Sequence, residues 1–132
     1  MNDRIDAFLA STRFAVVGAS TNRSKYGNKC LRCYQQNGRD VVPVHPRETE
    51  VEGLPVAASL TEIDPPPEAI SVITPPAVSL RVVEEAARLG IRHVWLQPGA
   101  EDAAVIRRAE ELGIDLIAGG PCLLVVLGFR DV

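Results

Sequence analysis

The sequence predicts a Rossmann-like α/β fold in which helices cover both faces of a doubly wound parallel sheet of about five strands, giving three layers. Two observations lead to this prediction. Short apolar runs and amphipathic helical segments alternate along almost the whole chain. The apolar runs also lack strict apolar–polar alternation, as expected for strands that are buried on both faces. Right-handed crossover connections favour the strand order 3-2-1-4-5.

The first part of the chain predicts two strands and the helix between them. Residues 5–9 form a short helical segment, and the apolar run over residues 14–17 forms the first strand. Residues 27–37 form a helix, because their apolar side chains share one face and an Asn-Gly pair closes the segment. The apolar run over residues 41–44 is the second strand, which ends before Pro46 because proline interrupts regular structure.

The connection to the third strand is irregular over residues 47–67. Within it, residues 51–54 could form a small extended piece and residues 59–62 a helical turn. The third strand covers residues 69–73 and ends before Pro75.

The remainder of the chain repeats the strand–helix pattern. Residues 77–89 form an amphipathic helix that ends at Gly90, and residues 93–96 form the fourth strand. A second amphipathic helix over residues 103–112 leads into the fifth strand at residues 114–118.

Composition and charge narrow the class of protein. With 46% hydrophobic and 23% charged residues, the 132-residue chain suits one globular domain over residues 1–132. The net charge of −3 is not that of a nucleic-acid-binding domain. The N-terminus does not resemble a signal peptide, and the longest apolar stretch, residues 123–127, is too short to span a membrane. We therefore expect a cytoplasmic protein without nucleic-acid or membrane partners, with its three cysteines as reduced thiols.

Candidate binding residues follow from the predicted topology. Ligands of doubly wound sheets bind beyond the carboxyl ends of the strands, near the point where the strand order reverses. The segments directly after the predicted strands are residues 18–27, 45–47, 74–76, 97–99 and 119–122.

The first of these segments has the chemistry of phosphate binding. Gly18 allows the backbone to approach an anion closely, and the helix at Gly27 presents unpaired N–H groups at its start. An ordinary strand–helix loop with solvated basic residues would look similar, so both interpretations stand on this segment alone. Its hydroxyl groups and positive charges belong to Ser20, Thr21, Arg23 and Lys25.

The segment does not match the dinucleotide fingerprint. Ala19 follows Gly18, so the G-x-G-x-x-G spacing fails. An NAD site also needs an acid at the carboxyl end of the second strand, whereas Asp40 precedes that strand. The residues at the correct end, His45-Pro46-Arg47, are neutral to basic, which favours a ligand with an additional phosphate over NAD.

Together, the strand ends resemble those of the small bacterial CoA-binding proteins, which are similar to the CoA-binding N-terminal domain of the succinyl-CoA synthetase α subunit. The resemblance covers about residues 12–125, and each motif is weak alone, while their ordered combination is fairly specific. The motifs are Val17-Gly18-Ala19-Ser20, Pro43-Val44-His45-Pro46, Ile73-Thr74-Pro75-Pro76, Trp95-Leu96-Gln97-Pro98-Gly99 and Gly120-Pro121-Cys122.

The resemblance implies that coenzyme A lies across the strand ends. Its phosphates would contact the first loop, and its adenosine would contact residues 44–47. Its pantetheine arm would pass close to Thr74 and Gln97. The sequence departs from the family at His45, where many relatives have Asn. The implied binding residues are Gly18, Ala19, Ser20, Thr21, Arg23, Lys25, Tyr26, Gly27, Val44, His45, Pro46, Arg47, Thr74, Pro75, Pro76, Gln97, Pro98 and Gly99.

The implied function is non-catalytic binding of CoA or acyl-CoA, as a carrier, a sensor or a partner of an enzyme of acyl-CoA metabolism. The alternative is a small nucleotide-dependent enzyme, either an NAD(P) oxidoreductase or a CoA-ligase subunit. The phosphorylated histidine of the synthetase lies in a domain outside this sequence, and His45 is expected to be a polar ligand contact because no nucleophile or carboxylate accompanies it at that edge.

The cysteines admit further interpretations. Cys30 and Cys33 have C-x-x-C spacing, but they lie inside a predicted helix without Pro or Gly between them, which favours a place in the core over redox chemistry. No second cysteine pair completes a zinc site. Cys122 could meet a thiol or thioester at the ligand edge, or could be a small buried hydrophobe. An exposed apolar tail over residues 123–129 could support a homodimer.

Overall fold

The computed structural model describes residues 3–120 and 122–131 and shows the predicted three-layer α/β architecture. Five parallel strands form the central sheet, and a short antiparallel hairpin lies between the second and third of them. Pro121, part of the last sequence motif, lies outside the described residues. The strands are β1 (Arg13–Val17), β2 (Asp40–Val44), β3 (Glu50–Val51), β4 (Leu54–Pro55), β5 (Ala69–Val72), β6 (His93–Leu96) and β7 (Asp115–Ile117).

The helices also agree with the prediction, to within two residues at each end. Helix α3 begins at a proline, whose fixed φ suits the first turn of a helix. The predicted helical turn near residue 60 is a 3₁₀ turn, Leu60–Glu62, and the apolar tail contains a π-helical turn, Leu124–Gly128. The α-helices of the described residues are α1 (Asp3–Leu9), α2 (Tyr26–Gln36), α3 (Pro76–Arg88) and α4 (Ala103–Glu111).

The predicted strand order 3-2-1-4-5 is wrong. The sheet has the order β2-β1-β5-β6-β7, so the third predicted strand pairs with β1 and not with β2. The reason lies in the two strands concerned. Every residue of β5 is buried, as an interior strand requires, whereas β2 contains Pro43, which cannot donate a backbone hydrogen bond and suits an edge. On the outer side of β2, a single bridge between Val44 and Ala57 continues the pairing within the part of the chain that the structure describes.

Alternate residues of the central strands supply two separate cores. In β1, Ala15 and Val17 face the core beneath α3 and α4, whereas Phe14 and Val16 face the core beneath α1 and α2. Trp95 is fully buried on the second face, where its ring meets Phe8 edge to face with ring centres 5.3 Å apart. Both faces of the sheet are therefore covered, and the carboxyl ends of the strands remain for a ligand.

The tail is less exposed than the sequence suggested. Leu123 is fully buried, and only Val125 and Val126 are exposed large apolar residues among the described part of the chain. Arg32 secures the tail to α2, because its guanidinium bonds to the Asp131 carboxylate at 3.0 Å and lies over the ring of Phe129. The expected exposed apolar tail over residues 123–129 is thus reduced to two valines.

Among the described residues, no helix has the length and apolar character needed to cross a membrane.

Candidate functional site

A cavity of about 640 Å³ opens at the carboxyl ends of β2, β1 and β5. Because β5 lies beside β1, the loop after the third predicted strand reaches this cavity directly. The structure therefore brings together three of the segments singled out from the sequence. The predicted site residues that line the cavity are Gly18, Ala19, Ser20, Lys25, Tyr26, Gly27, Val44, His45, Pro46, Arg47, Thr74 and Pro75.

The loop after β1 turns sharply at Gly18, which has a φ of +96°. A Cβ atom at this position would lie 2.2 Å from the carbonyl oxygen of Ile73, so only glycine fits between β1 and the start of the next loop. Beyond it, the Ser20 hydroxyl accepts a hydrogen bond from the Asn22 amide at 3.0 Å. The Asn22 side chain in turn accepts from the Ser24 amide at 3.0 Å, so the loop is held in successive local turns.

Helix α2 begins against this loop with its first turn facing the cavity. Lys25, the residue at its N-cap position, provides no side-chain cap hydrogen bond. The uncapped amides and the positive end of the helix dipole are the features that bind phosphate groups at helix N-termini. Gly27 brings this first turn directly onto the backbone of Gly18.

A buried polar network supports the loop from the side of α2. The Asn28 side chain donates to the Ser20 carbonyl oxygen at 2.8 Å and accepts from Nε of Arg32 at 2.6 Å. Arg32 also donates to the carbonyl oxygen of Arg23 at 2.8 Å. Both Asn28 and Arg32 are buried, which is unusual for residues of their type and indicates that they hold the loop in shape. Sequence reasoning missed this role, because both residues fall within a helix.

Two predicted phosphate contacts have other partners within the chain. Arg23 lies 3.4 Å from the Glu52 carboxylate at the tip of the β3–β4 hairpin. The Thr21 hydroxyl donates to the Glu48 carboxylate at 3.0 Å. Neither Arg23 nor Thr21 lines the cavity, and Lys25 is the basic side chain of this loop that does.

At the end of β2, His45 organises the turn that follows it. Its Nδ1 atom accepts hydrogen bonds from the backbone amides of Arg47 at 3.0 Å and Glu48 at 3.1 Å. Nδ1 therefore serves as the acceptor that closes this turn, and Nε2 is the ring nitrogen left for other contacts. The side-chain oxygen of an asparagine can make the same kind of local turn.

The far wall of the cavity comes from segments that sequence reasoning did not single out. The crossover before β5 and one face of α3 supply a largely apolar surface, and the only signal for it was the apolar periodicity of the helix. Glu85 is the acidic residue of this wall. Its carboxylate accepts hydrogen bonds from the amide and the hydroxyl of Thr61 at 3.1 and 2.7 Å. The additional lining residues are Val17, Ala58, Ser59, Leu60, Ile73, Val78, Val82 and Glu85.

A second, shallower cavity of about 300 Å³ lies at the ends of β5 and β6. It shares Ile73, Thr74 and Pro75 with the first cavity and is also lined by Pro98 and Gly99. Pro76 begins α3 and lines neither cavity.

Gln97, a predicted ligand contact, is instead fully buried behind Tyr26. Its side-chain oxygen accepts from the Tyr26 hydroxyl at 3.1 Å and from the Leu123 amide at 3.0 Å. The Tyr26 hydroxyl also hydrogen-bonds to the Cys122 thiol. Burial, reinforced by that thiol contact, raises the pKa of Tyr26, so its hydroxyl stays protonated at neutral pH. Gln97 thereby ties the cavity wall to the tail.

The two cysteines of α2 are fully buried in the core under that helix. Burial, with the neighbouring Cys122 thiol as a smaller cause, raises the pKa of Cys33 to about 11. Burial also raises the pKa of Cys30. Thiols that remain protonated at neutral pH are poor nucleophiles and poor metal ligands.

The arrangement of acids at the end of β2 differs from that of an NAD site. Asp40 is the first residue of β2 and lies at the end of the strand opposite His45. Glu48 lies near the carboxyl end of β2, but its carboxylate accepts a hydrogen bond from the Thr21 hydroxyl. Sequence reasoning missed Glu48, although its place shortly after the second strand was a usable signal.

Comparison with known proteins identifies relatives of this chain. The model of the CoA binding domain family matches residues 12–128. The uncharacterized protein YneT of Bacillus subtilis (strain 168) is 28% identical over 107 residues, which are 81% of this chain and 79% of that protein.

Solved structures also resemble the fold. A conserved hypothetical protein from Pyrococcus furiosus is 38% identical, with a TM-score of 0.81 over 86% of this chain and 97% of that chain. A dinucleotide-forming acetyl-coenzyme A synthetase from Ca. Korarchaeum cryptofilum shares the fold at 24% identity and a TM-score of 0.70, over 80% of this chain and 25% of the synthetase.

Proposed function

Because this chain belongs to the CoA binding domain family, we propose that it binds coenzyme A across the carboxyl ends of β2, β1 and β5. The observation that carries the proposal is the cavity at these strand ends, where a glycine-based turn and the start of α2 meet a histidine-capped turn and an apolar wall. CoA has matching parts: a diphosphate, a 3′-phosphorylated adenosine and a long, weakly polar pantetheine arm. The cavity supports each of them in a different place.

The diphosphate binds at the first turn of α2 in this proposal. The amides there are not capped by the Lys25 side chain, and Lys25 lines the same cavity. Gly18 and Gly27 keep this part of the backbone free of side chains that would hold an anion away.

The adenosine end binds beside the turn at residues 45–47. His45 shapes this turn through its two amide contacts, and Arg47 is exposed at the rim of the cavity. An exposed guanidinium is suited to the 3′-phosphate, which CoA carries and NAD lacks.

The pantetheine arm runs along the apolar wall toward Thr74 and Pro75. Val78 and Val82 contribute that wall from α3. The wall offers few groups for hydrogen bonding, in agreement with a ligand segment that is mainly aliphatic.

The role proposed for the bound CoA or acyl-CoA is that of cargo or signal, in a carrier, a sensor or a partner of an acyl-CoA enzyme. The imidazole in the cavity supports this choice, because its Nδ1 atom is already engaged. Nδ1 of His45 accepts hydrogen bonds from two backbone amides. A general base needs a free acceptor within reach of its substrate.

Isothermal titration calorimetry with CoA, dephospho-CoA, NAD and ATP tests the proposal. We expect CoA to bind most tightly and dephospho-CoA to bind more weakly because it lacks the 3′-phosphate. Tighter binding of NAD than of CoA, or no binding of CoA to the folded protein, would overturn the proposed function.

A further inference from the structure

The second cavity lies where the reactive end of a bound CoA would emerge, if CoA binds as proposed above. The first cavity covers the ends of β2, β1 and β5, and the second covers the ends of β5 and β6. The two cavities share Ile73, Thr74 and Pro75. With the adenosine at β2 and the diphosphate at β1, an extended pantetheine arm passes β5 and places its thiol, or the acyl group on it, beside β6.

The lining of the second cavity is uncharged. It consists of small and apolar side chains and of Thr74, whose hydroxyl shares a hydrogen bond of 2.8 Å with Ser79. Ile73, Pro98 and Ala100 present aliphatic surface to the cavity. Such a lining favours a short aliphatic group and gives no counter-charge to an ionised one.

A carboxylate is fixed at the edge of the same cavity. One oxygen of Glu101 accepts from the amide of Gly99, a lining residue, at 3.0 Å. Its other oxygen accepts from the amide of Gly119, beyond the end of β7, at 3.1 Å. The two amides that could bind an incoming anion at this edge are therefore occupied by the protein's own negative charge.

From these observations we infer that the site selects CoA thioesters with short, neutral acyl groups and rejects those whose acyl group ends in a carboxylate. The aliphatic lining stabilises an uncharged acyl chain by excluding water from it. The Glu101 carboxylate repels a second carboxylate and occupies the backbone donors that would otherwise compensate it. Glu101 acts here as a specificity-determining residue, and this inference rests on the proposed function.

Titration of the full chain with CoA, butyryl-CoA and succinyl-CoA tests the inference. Butyryl-CoA is expected to bind more tightly than CoA, by up to about fourfold for each methylene group that is fully buried. Succinyl-CoA is expected to bind more weakly than butyryl-CoA. In Glu101→Gln, the preference for butyryl-CoA over succinyl-CoA should fall by about three- to tenfold, the effect of removing one nearby like charge in a partly solvated site.

Glu110→Gln is the matched control, because Glu110 is an exposed acid on α4 that lines neither cavity. It removes the same charge and should leave the preference unchanged. Thermal unfolding and the affinity for CoA itself show whether Glu101→Gln keeps its fold. Equal binding of butyryl-CoA and succinyl-CoA by the wild type, or an unchanged preference in folded Glu101→Gln, would overturn the inference alone. A folded protein that binds no CoA at all would overturn the proposed function and this inference together.

Discussion

Gly27, in the first turn of α2, lies so close to Gly18 that a Cβ atom on Gly27 would be 2.1 Å from the Gly18 carbonyl oxygen. The obstructing atom belongs to the backbone of the turn after β1, so it cannot move aside as a flexible side chain would. This contact sets the distance between the turn and the start of the helix. It also determines whether the amides of that helix can face the cavity.

Gly27→Ala should therefore destabilise the protein and weaken CoA binding at the same time. We expect a loss of about 1–3 kcal/mol in the free energy of unfolding from forced overpacking, measured by urea denaturation, with a lower affinity in calorimetry. Gly38→Ala is the control: Gly38 has a φ of +69° with open space around it, so alanine there strains the backbone without touching the cavity. Wild-type CoA affinity in Gly27→Ala would contradict this account.

Charge reversal at Lys25 should weaken CoA binding more than reversal at Arg23. Lys25 lines the cavity, whereas Arg23 faces Glu52 outside it. At low salt we expect a loss of about tenfold for Lys25→Glu, since a nearby charge changes sign in a partly solvated site. The loss of affinity should be smaller at about 0.5 M salt, because a shorter Debye length screens the interaction between the two charges. Arg107→Glu, an exposed change on α4, controls for net charge. An equal loss of CoA affinity in Arg23→Glu and Lys25→Glu would indicate that the phosphate site lies closer to Arg23.

Arg47→Ala should reduce the discrimination between CoA and dephospho-CoA. If the Arg47 guanidinium contacts the 3′-phosphate, its removal weakens CoA binding and leaves dephospho-CoA binding nearly unchanged. Calorimetry with both ligands and both proteins forms a double-mutant cycle. A coupling energy near zero would show that the 3′-phosphate does not contact Arg47.

His45→Asn should preserve CoA binding, whereas His45→Leu should weaken it. The side-chain oxygen of asparagine can accept the amides of Arg47 and Glu48, as Nδ1 of His45 does, but leucine leaves both amides without that acceptor. Calorimetry at one pH, with circular dichroism to verify folding, compares the two variants. Equal loss in both would indicate that the imidazole contacts the ligand directly.

Asp131→Asn should reduce stability at neutral pH but not in acid. The hydrogen bond from Arg32, together with the nearby charges of Arg32 and Lys29, lowers the pKa of Asp131. A carboxyl group whose pKa is lower in the folded state stabilises that state above its unfolded pKa, and this stabilisation is lost as the pH falls through the folded pKa.

The difference in melting temperature between wild type and Asp131→Asn should accordingly be largest near neutral pH and shrink as the pH falls through the lowered pKa of Asp131. Asp40→Asn, at the exposed start of β2, is the control variant. A difference that persists unchanged in acid would contradict an ionic role for Asp131.

Among the residues predicted for the site, several next to strand ends line one cavity. Gly18 and His45 follow their strands directly, Thr74 follows β5 after one residue, and the parallel sheet brings all three to one cavity. Gln97 also follows its strand, but its polar side chain is buried by Tyr26 and the tail. Residue type alone could not distinguish a polar group that faces a ligand from one that satisfies the interior.

The strand order was the main error, and a local signal for it was present. Pro43 lacks an amide hydrogen and thus disfavours an interior position for β2, while β5, in which every residue is buried, suits one. The wrong order would have separated Thr74 from the turn at Gly18. In the observed sheet, Ile73 follows β5 and its amide donates to Val17 of β1 at 2.8 Å.

By itself, the sequence determined the α/β class, the limits of the helices and strands, and the segments at the strand ends, because hydrophobic periodicity and turn residues act over a few neighbouring residues. Only the tertiary structure decided that β5 pairs with β1, that Lys25 and not Arg23 lines the cavity, and that α3 supplies its far wall. Strand pairing and the choice of partner for a charged side chain depend on residues far apart in the chain. Local patterns carry at most an indirect signal of those contacts, as Pro43 does for the edge position of β2.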